Sequence, residues 1–268
     1  MSIILVSDYD HIEYPGGAHY VNHNIVKKLG ISFVKTKDLE VNQSNRYIIA
    51  NAVFISNENK EKLMNYKNYS IMEHDYKIHS SRQPHFFSNH VFPKDELINL
   101  DFFKNAKAVF LQSKDHLDCY LKNKIDAHFI NLSTSIWSDQ ELDLLESLSS
   151  SECKVKKFAI IEYEGPHKGI ENAISWCNSF HIDFELIPKL PLLDFYKKLS
   201  EYPALVFIPN VKETFCRLVV EARCLELNVI FPRIGAASED WFDLSGKNLI
   251  KFLRAETQTA LNTIVENT

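Results

Sequence analysis

The chain has 268 residues, of which 45% are hydrophobic and 24% are charged, and its formal net charge is −5 at pH 7. This composition excludes an intrinsically disordered chain and is sufficient for one large hydrophobic core or two smaller ones. The acidic balance argues against a generally basic nucleic-acid-binding protein, although it leaves room for a local basic groove. No apolar run is long enough to span a membrane, and the first residues predict a buried strand rather than a signal peptide.

The cysteines and histidines do not form recognisable ligand patterns. Five cysteines are scattered through the chain without C-x-x-C spacing, which indicates neither a disulfide framework nor a zinc site. No H-E-x-x-H motif is present, so we expect no metal site. We therefore expect reduced thiols and a cytoplasmic location.

In the first half, apolar strand-like runs alternate with helical patterns, which predicts a parallel sheet with crossover helices. The predicted strands cover residues 3–6, 31–34, 47–50, 53–55, 69–73, 108–112 and 127–130. The predicted helices cover residues 16–29, 60–66, 95–105 and 114–122.

The second half repeats this alternation after a predicted helix at residues 139–149 and a polar stretch at 149–154. That stretch is typical of a domain boundary, so we predict domains at 1–149 and 150–268. Further strands are predicted at residues 158–163, 184–187, 204–209 and 228–231, and further helices at 169–179 and 192–199. Another helix is predicted between the last two strands, where apolar residues recur at helical spacing from 215 to 225.

Two carboxylates, Glu213 and Glu221, lie eight positions apart in and after the loop between the 204–209 strand and its following helix. In such α/β units ligands bind beyond the carboxyl ends of the strands, and a helix N-terminus there favours a phosphate. A carboxylate facing that crevice can accept hydrogen bonds from both hydroxyls of a ribose. On spacing alone, both residues could instead be surface helix charges.

Lys168 and Gly169 occupy the corresponding turn after the first strand of the second half. An ammonium beside free backbone N–H groups suits a diphosphate leaving group. Without further context, a solvated lysine at a helix start explains the same pair.

The segment from residue 210 to 235 resembles the E-x7-E signature of retaining glycosyltransferases with the GT-B fold, of the family 4-like type. The resemblance implies an α/β protein with two Rossmann-like domains facing across a cleft. The first, at 1–149, would hold the acceptor, and the second, at 150–268, the nucleotide sugar. It assigns Glu213 to the donor sugar and Glu221 to the nucleotide ribose, and it places Thr214, Phe215 and Arg217 in the donor site.

The same resemblance assigns Lys168 to the donor phosphates. Members of the family often carry an arginine several residues earlier, where this chain has Glu162 and Glu164. The signature also usually contains glycines around its first glutamate, which in this chain is followed by Thr214, Phe215, Cys216 and Arg217. Because that arginine is missing, a second cation for the donor phosphates must come from another part of the chain. The candidates are Arg217, Arg223 and Arg82.

In the first half, Gly16 and Gly17 form a turn that opens the first helix, and glycines there allow the backbone to approach a ligand. They resemble the Gly-Gly of the family's N-terminal domain, which lies against the donor phosphate and the acceptor, and His19 follows in the acceptor site. His74 and Asp75 resemble the family's His-Asp pair at a strand end, whose histidine contacts the transferred sugar. A plain turn and a structural histidine remain the alternatives.

Arg82 has two aromatic neighbours in sequence, Phe86 and Phe87, which suits an acceptor with a phosphate or a planar ring. The set of motifs from residue 16 to 242 is similar to a compact group of GT-B proteins associated with bacteriophages. The implied reaction is metal-independent transfer with retention from a nucleotide sugar, expected to be a UDP-sugar, in the host cytoplasm if the protein is viral.

The acceptor stays open between 5-hydroxymethylcytosine in phage DNA and a surface polysaccharide or lipopolysaccharide. Two other kinds of function also stay open. The chain could be a non-catalytic nucleotide-binding relative, or an epimerase or phosphorylase of the same architecture. The oligomeric state is not determined by the sequence.

Overall fold

The computed structural model describes residues 2–149, 155–163 and 165–268. The chain divides into two compact units, one formed by Met1–Ile136 with Thr257–Thr268 and the other by Trp137–Glu256. We call them unit 1 and unit 2. This division differs from the predicted boundary at 149/150, because the helix at 139–148 belongs to unit 2 and the last residues belong to unit 1. Most of the predicted polar linker, with Cys153 and also Glu164, lies outside the described residues.

Unit 1 contains a six-stranded parallel sheet with the order β2-β1-β3-β4-β5-β6. Its strands are β1 (Ile3–Ser7), β2 (Ser32–Lys35), β3 (Arg46–Ile49), β4 (Tyr69–Met72), β5 (Val109–Leu111) and β6 (Phe129–Asn131). Its helices are α1 (Gly17–Leu29), α2 (Asn57–Tyr66), α3 (Leu100–Lys104) and α4 (Lys114–Lys122).

The strands of unit 1 are mostly apolar because the sheet is covered on both faces. In β3, Tyr47 and Ile49 pack into the core on one face, whereas Ile48 between them packs into the core on the other. This follows from the twofold alternation of side chains along a strand. The second core also contains Leu261 and Ile264 from the C-terminal residues, which explains why those residues belong to unit 1.

Unit 2 contains a four-stranded parallel sheet with the order β10-β9-β7-β8. Its strands are β7 (Phe158–Ile161), β8 (Phe184–Ile187), β9 (Ala204–Val206) and β10 (Asn228–Ile230). Its helices are α5 (Asp139–Leu148), α6 (Ile170–Ser179), α7 (Leu192–Leu199) and α8 (Arg217–Cys224). A long final helix, α9 (Gly246–Glu266), begins in unit 2 and ends among the residues of unit 1.

Most predicted elements are present, but two are wrong. Residues 53–55 form a turn instead of a strand, because the Asp8 carboxylate accepts hydrogen bonds from the backbone N–H groups of Val53 and Phe54 at 2.7 and 3.2 Å. The predicted helix at 95–105 is interrupted at Asn99, which has φ of 60° and donates its side-chain amide to the Lys77 carbonyl. Only α3 remains of it as an α-helix.

The four cysteines among the described residues are free thiols: Cys119, Cys177, Cys216 and Cys224. Within the same part of the chain, no helix combines the length and the apolar character that crossing a membrane requires.

Candidate functional site

The candidate donor site lies at the point of unit 2 where the strand order reverses. The first strand of this unit, β7, lies between β8 and β9, so its neighbours lead away in opposite directions. In open parallel sheets the loops that leave two such strands diverge and form a crevice for ligands. The loop after β7 carries Lys168, and the loop after β9 carries Glu213.

The structure brings these two predicted residues into contact. Lys168 Nζ lies 2.8 Å from Glu213 Oε1, and the two side chains are 26% and 15% exposed. Lys168 Nζ also lies 5.7 Å from the ring centre of Tyr163 and 5.9 Å from that of Phe207. The site therefore presents one partly accessible ammonium, backed by aromatic rings and held by a carboxylate.

Burial opposes the charge on Lys168, but the neighbouring Glu213 carboxylate outweighs burial and raises the pKa of the lysine above its usual value. Lys168 is therefore cationic at neutral pH. A fixed, partly desolvated cation is the group that an anionic leaving group requires.

Gly169 allows the two loops to pack closely. It has φ of 64°, and a Cβ placed on it would lie 2.0 Å from the carbonyl oxygen of Ile208 in the loop after β9. Asn210 fastens the same loops, because its side chain donates to the Pro166 carbonyl at 2.6 Å and its backbone N–H donates to the His167 carbonyl. The Lys168–Glu213 distance thus depends on contacts of the main chain.

The turn that follows Glu213 has the backbone shape of a glycine turn without the glycine. Cys216, at the start of α8, has φ of 66°, which is the conformation that glycine adopts most easily. Gly235 packs against this turn, and a Cβ on it would lie 2.7 Å from the Phe215 carbonyl oxygen. Phe215 is 2% exposed and its ring contacts Trp137, so its side chain is not available to a bound nucleotide sugar. Thr214 is partly exposed.

Glu221 belongs to a buried charge cluster that also contains Arg217 and Glu141. Arg217 Nε donates to Glu221 Oε1 at 3.0 Å and Arg217 Nη2 to Glu141 Oε1 at 2.5 Å, while its guanidinium lies over the Trp137 ring at 4.9 Å. The arginine side chain is 9% exposed and each carboxylate 5%. Arg217 is therefore engaged with two carboxylates, and Glu221, which is predicted to bind the ribose, lies in a buried cluster.

The second predicted cation, Arg223, is also engaged. It donates to the carbonyls of Leu244 and Asp243 at 3.0 and 2.7 Å, and its guanidinium lies over the Phe242 ring. It thus stabilises the segment before α9. Among the described residues of unit 2, Lys168 is the predicted cation that remains partly exposed beside the crevice.

In unit 1, the strand order reverses at β1, whose following loop leads to the Gly16 and Gly17 turn. Gly16 is the N-cap residue of α1, as predicted. His19, in the first turn of α1, is 6% exposed and lies 3.1 Å from the Asn51 amide nitrogen after β3. Burial lowers the pKa of His19, against the opposing charges of Asp8 and Asp10.

His74 and Asp75 follow β4 but make different contacts. His74 Nε2 lies 2.7 Å from Asn22 Oδ1 on α1, and burial, with a smaller effect of the Lys77 charge, lowers the pKa of His74 to about 3. His74 is therefore neutral at physiological pH and donates its Nε2 proton to Asn22. Asp75 Oδ2 instead lies 3.1 Å from Arg82 Nη1.

Arg82 is 44% exposed. Phe86, one of its aromatic neighbours in sequence, is also exposed. The predicted contact of Arg82 with an acceptor stays a prediction.

Several residues of these sites were not predicted. Asn22 and Asn51 contact His74 and His19, Asn210 fastens the donor loops, and Glu141 completes the charge cluster. Asn22 lies three residues after His19 on one helix, which is a local signal for a shared face. The contact of Glu141 with Arg217 joins residues 76 positions apart and has no local signal. The described residues contain no group of three or more His, Cys, Asp or Glu side chains that could hold a metal ion.

No protein-family model matches the chain, and no curated protein sequence matches it. Solved structures do. HepE of Anabaena, solved with UDP and glucose, has a TM-score of 0.54 at 12% identity, and the match covers 100% of this chain and 93% of HepE. A complex of HepE with UDP-glucose has a TM-score of 0.52, also at 12% identity, over 100% of this chain and 94% of that one.

A variant of S. aureus TarM, solved with fondaparinux, alpha-GlcNAc-glycerol and UDP, has a TM-score of 0.50 at 14% identity. That match covers 92% of this chain and 53% of TarM, so the chain spans about half of the TarM length. These neighbours are GT-B glycosyltransferases, and the predicted GT-B fold is therefore confirmed. The retaining mechanism, the family 4-like type and the phage group stay predictions.

Proposed function

We propose that the protein is a glycosyltransferase that moves a sugar from a UDP-sugar to an acceptor hydroxyl with retention, without a bound metal. The observation that carries the proposal is the contact of Lys168 with Glu213 at the strand reversal of unit 2, at 2.8 Å and partly exposed. The GT-B fold supports it, because HepE, which shares the fold, was solved with UDP-glucose.

Lys168 is suited to the leaving diphosphate. Its charge is maintained by Glu213, and its position is set by the close packing of Gly169 on the loop after β9. A cation held in place before the reaction stabilises the charge that develops on a departing phosphate without reorganising during the reaction. Glu213, which holds this cation, is proposed to contact the donor sugar.

In the proposed reaction, the bond between the anomeric carbon and the diphosphate oxygen breaks, and its electron pair passes to that oxygen. The acceptor oxygen forms the new bond to the anomeric carbon on the same face. The acceptor proton passes to the departing phosphate oxygen, so that no protein base is required. In unit 1, the neutral His74 and the Gly16 turn are proposed to contact the transferred sugar and the donor phosphate, with Asp75 beside them.

Glu221 is proposed to bind the ribose hydroxyls. Arg217 would then act indirectly, because it orients Glu221 rather than contacting the phosphates. Thr214 and the Phe215 backbone complete the proposed donor site, and His19 and Arg82 are proposed on the acceptor side. For the acceptor itself, hydroxymethylcytosine in phage DNA and a surface glycan both remain candidates, in the cytoplasm of the host if the protein is viral.

The first experiment is calorimetric titration of the full chain with UDP, alongside Glu221→Gln and an exposed control, Glu171→Gln, on α6. Loss of hydrogen bonds to a charged group should weaken UDP binding by about 1.5–3 kcal/mol in Glu221→Gln and leave Glu171→Gln unchanged. An absence of UDP binding by the folded parent protein would refute the proposed donor.

The second experiment is mass spectrometry of products after incubation with a panel of nucleotide sugars and acceptors, including hydroxymethylated and plain DNA duplexes. Sugar transfer that depends on an acceptor supports a glycosyltransferase. UDP binding without any turnover indicates the non-catalytic alternative. A changed nucleotide sugar without an acceptor indicates an epimerase, and release of a sugar phosphate when inorganic phosphate is added indicates a phosphorylase.

A further inference from the structure

Unit 1 contains a cavity of about 330 Å³ at the carboxyl ends of β3 and β4, closed by α2 and by the segment that leads to α3. Its volume lies at the small end of the range for ligand pockets, roughly 300–1,000 Å³, and suits one compact molecule. Gly16, His19 and His74 of the proposed transfer site do not line it, whereas Arg82, proposed on the acceptor side, does.

A buried carboxylate lines this cavity with one oxygen unused. Glu73 is fully buried, and its Oε1 accepts hydrogen bonds from Lys77 Nζ at 2.7 Å and from the Asp75 backbone N–H at 2.8 Å. Its Oε2 accepts no hydrogen bond from any described residue. A buried acceptor without a donor costs about 1–3 kcal/mol, so a small shift of the Glu73 side chain that brings Oε2 to a hydroxyl or amine of a ligand would be favourable.

A cation without a carboxylate partner lines the same cavity. Lys60, on α2, is half-buried and donates to Asn99 Oδ1 at 2.9 Å, with the Phe102 ring 5.9 Å away. It forms no ion pair with the described residues, and burial lowers its pKa. An ammonium has three donors, and this one uses a single donor within the protein.

The charges that line the cavity favour an anion. Lys60, Lys77 and Arg82 are cationic, whereas Glu73 is the single carboxylate among the lining residues. Lys77 is paired with Glu73, and Arg82 is 44% exposed and paired with Asp75, which does not line the cavity. An anionic group beside Lys60 and Arg82 would compensate the charge of the half-buried Lys60. Hydrogen bonds between oppositely charged groups are stronger than those between neutral groups, so this contact would favour binding.

From these observations we propose that the cavity binds a small hydroxylated anion, such as a sugar phosphate or a sugar acid. Its anionic group contacts Lys60 and Arg82, and one of its hydroxyls donates to Glu73 Oε2. Because Arg82 is also proposed on the acceptor side, the proposal deepens the proposed function and rests on it for the statement that the bound anion is an acceptor. Binding of the anion at the cavity can be measured without any sugar transfer.

The test is calorimetry of the full chain at low salt with glucose 6-phosphate, glucuronate and glucose as probes. We expect at least one of the two anions to bind, and glucose to bind at least about tenfold more weakly than that anion, because it lacks the charged group. Comparison of the two affinities shows whether the cavity prefers a phosphate or a carboxylate. The proposal is overturned if glucose binds as tightly as both anions. It is also overturned if neither anion binds.

Lys60→Met removes the cation, and Lys62→Met is its matched control, because Lys62 lies on the same helix, is 43% exposed and pairs with Glu58. We expect Lys60→Met to weaken binding of the preferred anion at least about tenfold and Lys62→Met to leave it unchanged. Equal affinities in the parent and Lys60→Met contradict the proposal.

Glu73→Gln tests the hydroxyl contact against a second probe, inorganic phosphate. The variant should weaken binding of the preferred sugar anion but not of inorganic phosphate, which has no sugar hydroxyl. Unchanged sugar-anion binding in Glu73→Gln removes the hydroxyl contact. Should this variant not fold, the Lys60 comparison still decides the proposal. UDP affinity, measured in parallel, reports on the donor site separately.

Discussion

Arg217→Met is the most informative perturbation of unit 2, because it removes one buried cation from between two buried carboxylates. Methionine keeps an unbranched apolar side chain over the Trp137 ring, which the guanidinium now covers at 4.9 Å. Glu141 and Glu221, each with a 5% exposed side chain, would then face each other without a compensating charge.

The magnitude follows from burial. Removing one partner of a buried ion pair costs about 3–5 kcal/mol, because the other charge stays desolvated. Arg254 offers a matched comparison, since it also contacts two carboxylates, Asp143 and Glu146, but it is 34% exposed and they are 69% and 46% exposed. Surface pairs are worth about 0–1 kcal/mol, so Arg254→Met should cost at least about 2 kcal/mol less than Arg217→Met.

Urea unfolding followed by tryptophan fluorescence measures this effect, because Trp137, Trp176 and Trp241 are the three tryptophans and all lie in unit 2. The signal therefore reports on the unit that contains the cluster. If Arg217→Met loses no more stability than Arg254→Met, the cluster does not act as a buried charge network.

Three further predictions concern single residues. Gly169→Ala should lower the thermal midpoint, measured by circular dichroism, well below that of Gly30→Ala; both glycines have positive φ, but a Cβ on Gly30 meets no atom within 4 Å. Lys168→Met should lower turnover at saturating donor by roughly a hundredfold, as loss of one electrostatic stabiliser does. Lys197→Met, an exposed change on α7, should keep full turnover. Equal rates in the two variants would show that Lys168 is only structural. The pKa of His74 is about 3 in the folded protein, against an ordinary value of 6.5. The protein should therefore lose stability as the pH falls from about 6.5 towards 3, because only the unfolded state gains the proton. His74→Asn should flatten that slope by up to about 1.4 kcal/mol per pH unit.

The sequence by itself determined the fold class and the donor loops. Continuous apolar runs such as those of β1 and β3 arise only where a sheet is covered on both faces, so local composition indicated parallel sheets. The placement of Lys168 and Glu213 at one edge of the sheet followed from the order of strands and loops, because parallel strands place their following loops at one edge. Their ion pair itself was found only in the structure.

Only the tertiary structure decided which of the predicted charges are available. Arg217 was a candidate for the phosphates, but its contact with Glu141 depends on the packing of α5 beside α8, which no local pattern encodes. The turn at residues 53–55 likewise depends on Asp8, which is distant in sequence. Its carboxylate accepts the backbone N–H groups of Val53 and Phe54, which in a strand would donate to a neighbouring strand. Periodicity reports the neighbours of a residue along one element, whereas burial and ion pairing depend on contacts between elements, and these are formed only when the chain has folded.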